Sequence, residues 1–386
     1  MNHSTHHFSP NIARISVIWD HIFRFVKKNT VLCVALVAAA ITSVIVPPDI
    51  EYLGYFDVKT LTCLFCVLAV VGALKNISFF YILAEEIVRR FRTIRTAVLA
   101  LVYITFIGSM LIANDMALLT FLPLGYFVLS TTDNKKYMAF TFIMQNIAAN
   151  LGGMLTPFGN PQNLYLYTKF NIPVGEFVSI MLLPFSLAIA LITLCCIIFV
   201  KGEPLSVKGE SIELDRKKAT IYCLLFALSI AIVFRGIPYW TGLIIIPAVL
   251  MFMDRRALRE VDYPLLLTFV AFFIFSGNVS RISAVRELLG GLLDQSTLWV
   301  STLSCQVISN VPSSILLSNF TGNYKELLIG VNIGGVGTLI SSLASLITFK
   351  EYTKHEPGRA GEYIKTFSLF NFAFLFIMLA VMTVAL

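Results

Sequence analysis

The residues best suited to bind a ligand lie in a short stretch that no uninterrupted helix could contain. Residues 152–163 read Gly-Gly-Met-Leu-Thr-Pro-Phe-Gly-Asn-Pro-Gln-Asn, with three glycines, two prolines and four polar side chains between apolar flanks. Proline removes a helical hydrogen bond, and glycine is a poor helix former. A helix broken in this way presents amide groups to an anion and leaves carbonyl oxygens for a cation. A structural kink or an external loop is the alternative interpretation.

A second copy of this stretch occurs later in the chain. The segment from Asn150 to Thr156, Asn-Leu-Gly-Gly-Met-Leu-Thr, aligns with Asn332 to Thr338, Asn-Ile-Gly-Gly-Val-Gly-Thr, at an offset of 182 residues. Serines follow at positions 341, 342 and 345, but no proline is present in this copy. We therefore expect two related breaks, of which the second is less unwound than the first.

An acidic residue lies upstream of the first break, inside an apolar run. Asp115 follows Asn114 in the polar interruption Ala113–Met116, and Ser309–Pro312 interrupts the second copy in the same order. Carboxylates at membrane depth are costly and usually functional. Asp115 could carry a proton, bind a sodium ion, or cap the following helix, and the sequence leaves these three roles open.

The histidines argue against the common kinds of intramembrane enzyme. All five, at positions 3, 6, 7, 21 and 355, lie near the N-terminus or in a loop, so none is expected at membrane depth. Haem spans, zinc proteases and serine-histidine proteases all need a buried imidazole. We therefore assign no catalytic residue, no metal centre and no cofactor other than a coupling sodium ion or proton.

The elements that position these residues are membrane helices. Of the 386 residues, 57% are apolar and only 13% are charged, and long uncharged runs such as 30–47, 96–113, 177–200 and 367–386 match the thickness of a bilayer. The net charge of +7 comes from loop residues, which we interpret as topology signals and not as a nucleic-acid surface. The seven cysteines lie in or beside apolar runs and are interpreted as packing residues.

Loop charge orients the chain in the membrane. Alternating the loops places 23 of the 29 Lys and Arg on one side, which the positive-inside rule makes the cytoplasm. The N-terminus is then cytoplasmic, and residues 11–28 form an amphipathic helix along the membrane surface. Segments 96–130 and 297–320 each begin and end on one side, so each is expected to make an even number of crossings or to form a re-entrant hairpin.

The two copies have opposite orientations in this scheme, because matching segments at Gly72–Ser78 and Gly277–Ser283 end helices that run in opposite directions. The fold class is an all-α polytopic membrane protein with two inverted-topology repeats, re-entrant hairpins and interrupted helices, in about 11 spans. The predicted divisions are 1–28 for the N-terminus with its surface helix, 29–200 for the first repeat, 201–236 for a cytoplasmic loop and linking span, and 237–386 for the second, inverted repeat.

These motifs resemble the ion transporter superfamily, which includes the divalent anion/sodium symporters, the citrate transporters and the arsenite permeases. The symporters carry Ser-Asn-Thr at each hairpin tip and Gly-Thr-Pro-Pro-Asn in a Gly-rich break. This chain has Asn114-Asp115-Met116, Ser309-Asn310-Val311 and Gly159-Asn160-Pro161-Gln162-Asn163 at the matching positions. The acid at the first tip is similar to the Asn-Asp pattern of the arsenite permeases.

The resemblance implies a homodimer in which the substrate is held between hairpin tips and helix breaks. It also implies that Asn114, Gly152, Gly153, Asn310 and Gly334 lie near cation positions. Together with the break analysis, we assign substrate binding to Asn114, Thr156, Gly159, Asn160, Asn163, Asn310, Thr338 and Ser341. Ion coupling is assigned to Asp115, Asn150, Gly152, Gly153, Asn332 and Gly334.

The sequence therefore predicts a secondary active transporter of a small anion or oxyanion in the cell inner membrane, coupled to sodium or protons by alternating access. The partners expected are the anionic substrate, the lipid bilayer and a second copy of the chain, with no nucleic acid. The alternative of the same fold is a proton-coupled arsenite or antimonite efflux permease. The alternative of another class is an intramembrane enzyme.

Overall fold

The computed structural model describes residues 25–26, 29–205 and 214–386, and these are almost entirely helical. Within those ranges no strand occurs, although Thr93 and Pro204 form an isolated bridge. The α-helices, in chain order, are α1 Thr30–Ile45, α2 Val58–Asn76, α3 Phe79–Val88, α4 Ile94–Ile112, α5 Asn114–Thr131, α6 Met138–Gly152, α7 Pro161–Lys169, α8 Val174–Phe199, α9 Arg216–Val233, α10 Tyr239–Met253, α11 Arg255–Arg259, α12 Tyr263–Ser280, α13 Ser283–Gln295, α14 Thr297–Ile308, α15 Asn310–Leu317, α16 Tyr324–Ile333, α17 Leu343–His355 and α18 Ala360–Ala385.

Five helical ranges in the described part of the chain are long and apolar enough to cross a membrane. They are Val58–Asn76, Ile94–Ile112, Val174–Phe199, Arg255–Ser280 and Pro357–Ala385. Shorter apolar helices cover Thr30–Ile45, Tyr239–Met253 and Thr297–Ile308. The fold class predicted from the sequence, an all-helical polytopic membrane protein, is confirmed, while the total of about 11 spans stays a prediction.

Helix order repeats along the chain. The series α2 to α8 and the series α12 to α18 each contain a long helix, a short helix, a two-helix hairpin, an interrupted pair and a long final helix. In each hairpin a single residue separates two helices that pack together, α4 with α5 and α14 with α15. The repeat seen in three short sequence matches therefore extends over seven elements.

The hairpin corners share an unusual backbone conformation. Ala113 has φ 64° and ψ 154°, and Ser309 has φ 74° and ψ 160°. Non-glycine residues rarely adopt this region, and it persists only where the surroundings enforce it. The same strained conformation at both corners is independent evidence that the two hairpins are structural counterparts.

The chain forms two compact units. One comprises the described residues up to Phe56 together with Asp262–Arg281. In it α1 packs against α12, and the Asn278 amide donates to Ser43 Oγ at 3.2 Å. Arg281 closes this unit, because its guanidinium donates to Asp49 at 2.6 Å and to the Tyr55 hydroxyl at 3.1 Å.

The second unit comprises Asp57–Val261 and Ile282–Leu386. It contains both hairpins, both interrupted helices and every predicted site residue. The predicted surface helix at 11–28 lies outside the described residues, except for residues 25 and 26. The predicted divisions at 28, 200 and 236 stay predictions.

The expectation of a less unwound second break is wrong. Residues 334–342 separate α16 from α17 without helical structure, whereas the first break contains a short 3-10 helix, Gly153–Leu155. Proline is not needed here, because Gly337 adopts φ +123°, which side-chain-bearing residues avoid.

The Asp49–Arg281 pair gives a pH-dependent prediction. The hydrogen bond from Arg281 lowers the pKa of Asp49, so the stabilisation is present at neutral pH and is lost as pH falls through that lowered pKa. We expect Asp49→Asn to lower Tm at pH 7 by roughly 1–2 °C, as is typical of an exposed pair. The exposed Asp294→Asn is the control, and a Tm difference that is constant from pH 7 to pH 3 would contradict the assignment.

Candidate functional site

One amide side chain stabilises the backbone of the first break. Asn163 Nδ2 donates to the carbonyl oxygens of Gly153 at 3.1 Å, Met154 at 3.3 Å and Thr156 at 3.4 Å. Asn163 lies on α7, directly beyond the break, and is fully buried. It therefore satisfies carbonyl groups that the interruption removes from the helical ladder.

In the second break, a different residue donates hydrogen bonds to the carbonyl groups. Gln306 Nε2 donates to Gly334 O at 2.9 Å and Val336 O at 3.1 Å, and its Oε1 accepts from the Thr338 amide at 2.9 Å. Gln306 lies on α14, in the second hairpin. The second break is therefore fastened to its hairpin, whereas the first is fastened to its own following helix.

A threonine links each break to its hairpin in the same way. Thr156 Oγ1 donates to Met110 O at 2.8 Å, and Thr338 Oγ1 donates to Gln306 O at 3.1 Å. Met110 and Gln306 each lie four residues before the asparagine at the hairpin tip. The two halves therefore share this contact, and both threonines are only half-buried.

The tip asparagines organise the start of the second hairpin helix. Asn114 Oδ1 accepts from the Asp115 amide, and Asn310 Oδ1 accepts from the Val311 amide, both at 2.9 Å. Asn114 Nδ2 then reaches Asn150 Oδ1 at 3.3 Å. Each tip asparagine thus fixes its own turn, and Asn114 also contacts the helix that leads into the first break.

The second tip contacts the second break through the backbone. The Asn310 amide donates to Ser341 O at 3.0 Å, and Ser309 Oγ donates to the same oxygen at 3.2 Å. Ser341 is fully buried, and its hydroxyl donates to Gly335 O and Thr338 O. Ser341 therefore joins the tip to the unwound segment.

Buried amides connect the two halves. Asn332 Nδ2 donates to Asn163 Oδ1 at 2.6 Å. Its Oδ1 accepts from Asn160 Nδ2 at 3.4 Å and from Gln162 Nε2 at 3.5 Å. Asn160 Nδ2 also donates to Asn150 O at 3.3 Å. Asn332 is therefore the meeting point of the two interrupted helices.

Gly335 marks the place where both tips approach the same point. A Cβ at Gly335 would lie 3.1 Å from Asn310 Nδ2 and 3.5 Å from Asn150 Oδ1, the oxygen to which Asn114 donates. Gly335 therefore lies beside the second tip and beside Asn150, the residue that the first tip contacts. This convergence of two tips and two breaks is the candidate site.

Four helices begin at this site, and their dipoles set its electrostatics. They are α5 at Asn114, α7 at Pro161, α15 at Asn310 and α17 at Leu343. Each helix N-terminus carries roughly half a positive charge, although the backbone amides of Asp115, Asn310 and Val311 already have acceptors. The site is thus electropositive even though, of the side chains assigned to it, only that of Asp115 is ionisable.

Two buried amide oxygens at the first break have no hydrogen-bond donor. They are Asn160 Oδ1 and Gln162 Oε1, on residues that are each 1% exposed. Asn160 occupies the N-cap position of α7, but its side chain does not cap the helix. A buried acceptor without a donor is costly, so these atoms are suited to a ligand that supplies positive charge.

Asp115 lies in the first turn of α5 and is half-buried. A carboxylate in the first turn is stabilised by the helix dipole, which agrees with the capping role. The position also lies next to Asn114 at the tip, which agrees with the coupling roles. All three roles therefore stay open.

The structure brings together most residues singled out in the sequence, although their binding roles stay predictions. The Asn114–Asn150 pair and the cluster of Asn160, Asn163 and Asn332 are joined by the bond from Asn160 Nδ2 to Asn150 O, and Gly335 lies next to Asn310 and Asn150. Glycines 152, 159 and 334 serve close packing, since a Cβ at each would lie within 3 Å of neighbouring atoms.

Four amides were missed in the sequence: Gln162, Gln306, Asn146 and Asn371. Asn146 Nδ2 donates to Ser345 Oγ and Asn371 Oδ1, both at 3.4 Å, and extends the polar network along α6. Amides within apolar helices, as in Met144-Gln145-Asn146-Ile147 and Cys305-Gln306-Val307, are the signal that could have identified them.

Comparison with known proteins gives a consistent result. A family model described as citrate transporter matches residues 15–323. An uncharacterized transporter of Methanocaldococcus jannaschii is 33% identical over 76% of this chain and 80% of its own length. The inner membrane protein YbiR of Escherichia coli is 31% identical over 70% of this chain and 74% of its own. The resemblance inferred from the motifs is thereby confirmed.

The packing of the first break gives a mutational prediction. A Cβ at Gly152 would lie 2.2 Å from Phe106 O, a backbone atom that cannot move aside cheaply. We expect Gly152→Ala to destabilise the protein by about 1–3 kcal/mol, as overpacking does, and to lower Tm in a thermal melt. Gly175→Ala is the matched control, because no atom lies within 4 Å of its new Cβ. Equal melting of the two variants would contradict the packing described here.

Proposed function

Because the chain belongs to the citrate transporter family, we propose that it carries a small anion or oxyanion across the cell inner membrane, driven by a sodium or proton gradient. That it is a membrane transporter follows from the family and its apolar helices. The nature of the substrate and of the coupling ion is the proposal, and its support is the geometry of the site.

The observation that carries the proposal is the convergence of four helix N-termini on buried amides. Free N–H groups at helix N-termini bind carboxylates and oxyanions without a cationic side chain. The tip amides of Asn114 and Asn310 lie at the same place, and Asn114 Nδ2, which donates one hydrogen to Asn150 Oδ1, has a second hydrogen to donate. We therefore assign the anion to the space bounded by the two tips and the two breaks.

Coupling needs a positive charge that accompanies the anion. Asn160 Oδ1 and Gln162 Oε1 are buried oxygens without donors, and oxygen is the ligand that hard cations prefer. Asp115, next to the first tip, could instead accept a proton. Sodium at the amide oxygens and a proton on Asp115 are therefore the two forms of the proposal.

The repeated helices suit an alternating-access mechanism. Each hairpin is tied to the break of its own half by a threonine and by contacts of its tip, so that tip and break move together. Repeats of this kind alternate access by moving one bundle against another around a fixed site. By resemblance to the superfamily we also propose that the transporter works as a homodimer.

An arsenite or antimonite efflux permease is the second candidate. The observation that favours it is the asymmetry of the tips, where Asp115 follows Asn114 but Val311 follows Asn310. Arsenite is mostly neutral near pH 7, so an acidic tip would not repel it. Proton exchange on Asp115 would then drive efflux.

The proposed function can be tested by reconstituting the protein in proteoliposomes. Uptake of citrate, succinate, sulfate, phosphate and arsenite would be measured in sodium or potassium, with and without a pH gradient. The proposal expects uptake of one anion that depends on sodium or on the pH gradient. Transport of arsenite alone would favour the second candidate, and no gradient-dependent transport of any of them would contradict both.

Asp115→Asn discriminates between the coupling roles. Removal of the ionisable group should lower proton-driven transport at least ten-fold. The amide keeps the shape of the residue, so folded protein should remain in the membrane. Asp133→Asn, exposed at the opposite end of α5, is the control. Normal proton coupling in Asp115→Asn would reduce the residue to a helix cap.

Asn160→Ala and Asn310→Ala test the binding site itself. Each removes a polar group aimed at the proposed anion or cation, so affinity should fall on the order of ten-fold or more, as expected for a hydrogen bond to a charged partner. Asn134→Ala is the control, because this buried amide bonds locally to Thr132 away from the site. Unchanged transport kinetics in both site variants would move the site elsewhere.

A further inference from the structure

The internal repeat raises the question of how many coupling cations the site can hold. Two equivalent breaks would generate two equivalent cation positions if their oxygen atoms were equally available. The breaks align at the same offset throughout, since Asn150 corresponds to Asn332 and the start of α7, Pro161, corresponds to the start of α17, Leu343. The ligands of the two halves can therefore be compared residue by residue.

Among the aligned residues of the two breaks, the side-chain oxygens that lack a hydrogen-bond donor all belong to the first half of the chain. Asn160 corresponds to Ser342, whose hydroxyl caps α17 by accepting from the Ser345 amide at 3.3 Å. Gln162 corresponds to Ala344, which has no polar side-chain atom. The second half thus lacks both side-chain oxygens that a cation could bind at the equivalent place.

The backbone carbonyls of the second break are also engaged. Gln306 Nε2 lies within hydrogen-bond distance of two of them, Gly334 O at 2.9 Å and Val336 O at 3.1 Å, and of Thr302 O on its own helix at 3.2 Å. Its Oε1 faces the Thr338 amide, so the reverse amide orientation would oppose oxygen to oxygen. A group that carries partial positive charge therefore occupies the place where carbonyls would otherwise surround a cation.

The fit of Gln306 to the break is close. Gly337 turns with φ +123°, and a Cβ there would lie 2.2 Å from Gln306 Oε1. The residue at the equivalent position of the first hairpin is Met110, which has no N–H to donate. In the first half, Asn163 donates hydrogen bonds to the carbonyls of the break. Asn160 Oδ1 and Gln162 Oε1 have no donor there.

We propose that the transporter carries one coupling cation per cycle, bound by Asn160 Oδ1 and Gln162 Oε1 in the first half, and that the Gln306 amide replaces a second cation in the other half. The inference rests on the proposed function, because it specifies the coupling of that site. The ligand class is a hard monovalent cation, for which sodium is the probe.

The test measures the sodium stoichiometry of the wild type and of a variant in which one atom of the residue 306 side chain is exchanged. In proteoliposomes, the sodium dependence of uptake of the transported anion should have a Hill coefficient near 1. Gln306→Glu replaces the amide nitrogen with oxygen in front of three carbonyls, so it should raise the Hill coefficient towards 2. It should also make Tm of the purified protein more sensitive to sodium than that of wild type. Gln295→Glu, exposed at the end of α13, is the control.

Two further variants keep the test decisive if Gln306→Glu does not fold. Gln306→Met introduces the residue of the first half and frees the same carbonyls, with the same expected rise. Gln162→Leu removes one donor-free oxygen at nearly constant volume and should weaken the sodium dependence at least ten-fold.

The outcomes separate the inference from the proposed function. A wild-type Hill coefficient near 2, or sodium dependence unchanged in both Gln306 variants and in Gln162→Leu, would overturn the inference but leave sodium-coupled transport intact. Transport driven by protons alone would overturn the sodium site. Absence of gradient-driven transport of any anion would instead overturn the proposed function.

Discussion

The structure depends on one constraint: a helix interrupted at membrane depth must satisfy its backbone groups without water. Lipid offers no hydrogen bonds, so unwound backbone survives only where protein groups replace the lost helical partners. Here the replacements are amide side chains. Asn163 donates to three carbonyls of the first break, and Gln306 donates to two carbonyls of the second. Without them the unwound segments that carry the site would not be stable.

The two halves meet this constraint with the same backbone and different side chains. Ala113 and Ser309 adopt the same strained corner, and Thr156 and Thr338 make the same link to their hairpins. The shared backbone turns four helix N-termini towards one place, which favours an anion. The differing side chains leave amide oxygens without donors at the first break and not at the second, so a symmetric fold supports an asymmetric site.

Much of this architecture could be predicted from the sequence, because it follows from local composition. Apolar length predicts the spans, and the repeated Asn-x-Gly-Gly motif locates both breaks and most of the converging amides. Proline does not predict the unwinding of the second break, because Gly337 and the amide of Gln306 achieve it without a proline. Gln306 and Gln162 were missed for a related reason, since their roles depend on partners about 30 and 170 residues away in the chain.

In the proposed function, anion and cation bind together at the point where tips and breaks meet. Isothermal titration of the purified protein with the transported anion, in sodium and in potassium, measures whether they do. Two ligands that share one site must change each other's affinity by the same factor. We expect sodium to tighten anion binding at least ten-fold and the anion to tighten sodium binding equally. Anion affinity that is identical in the two salts and at two pH values would contradict it.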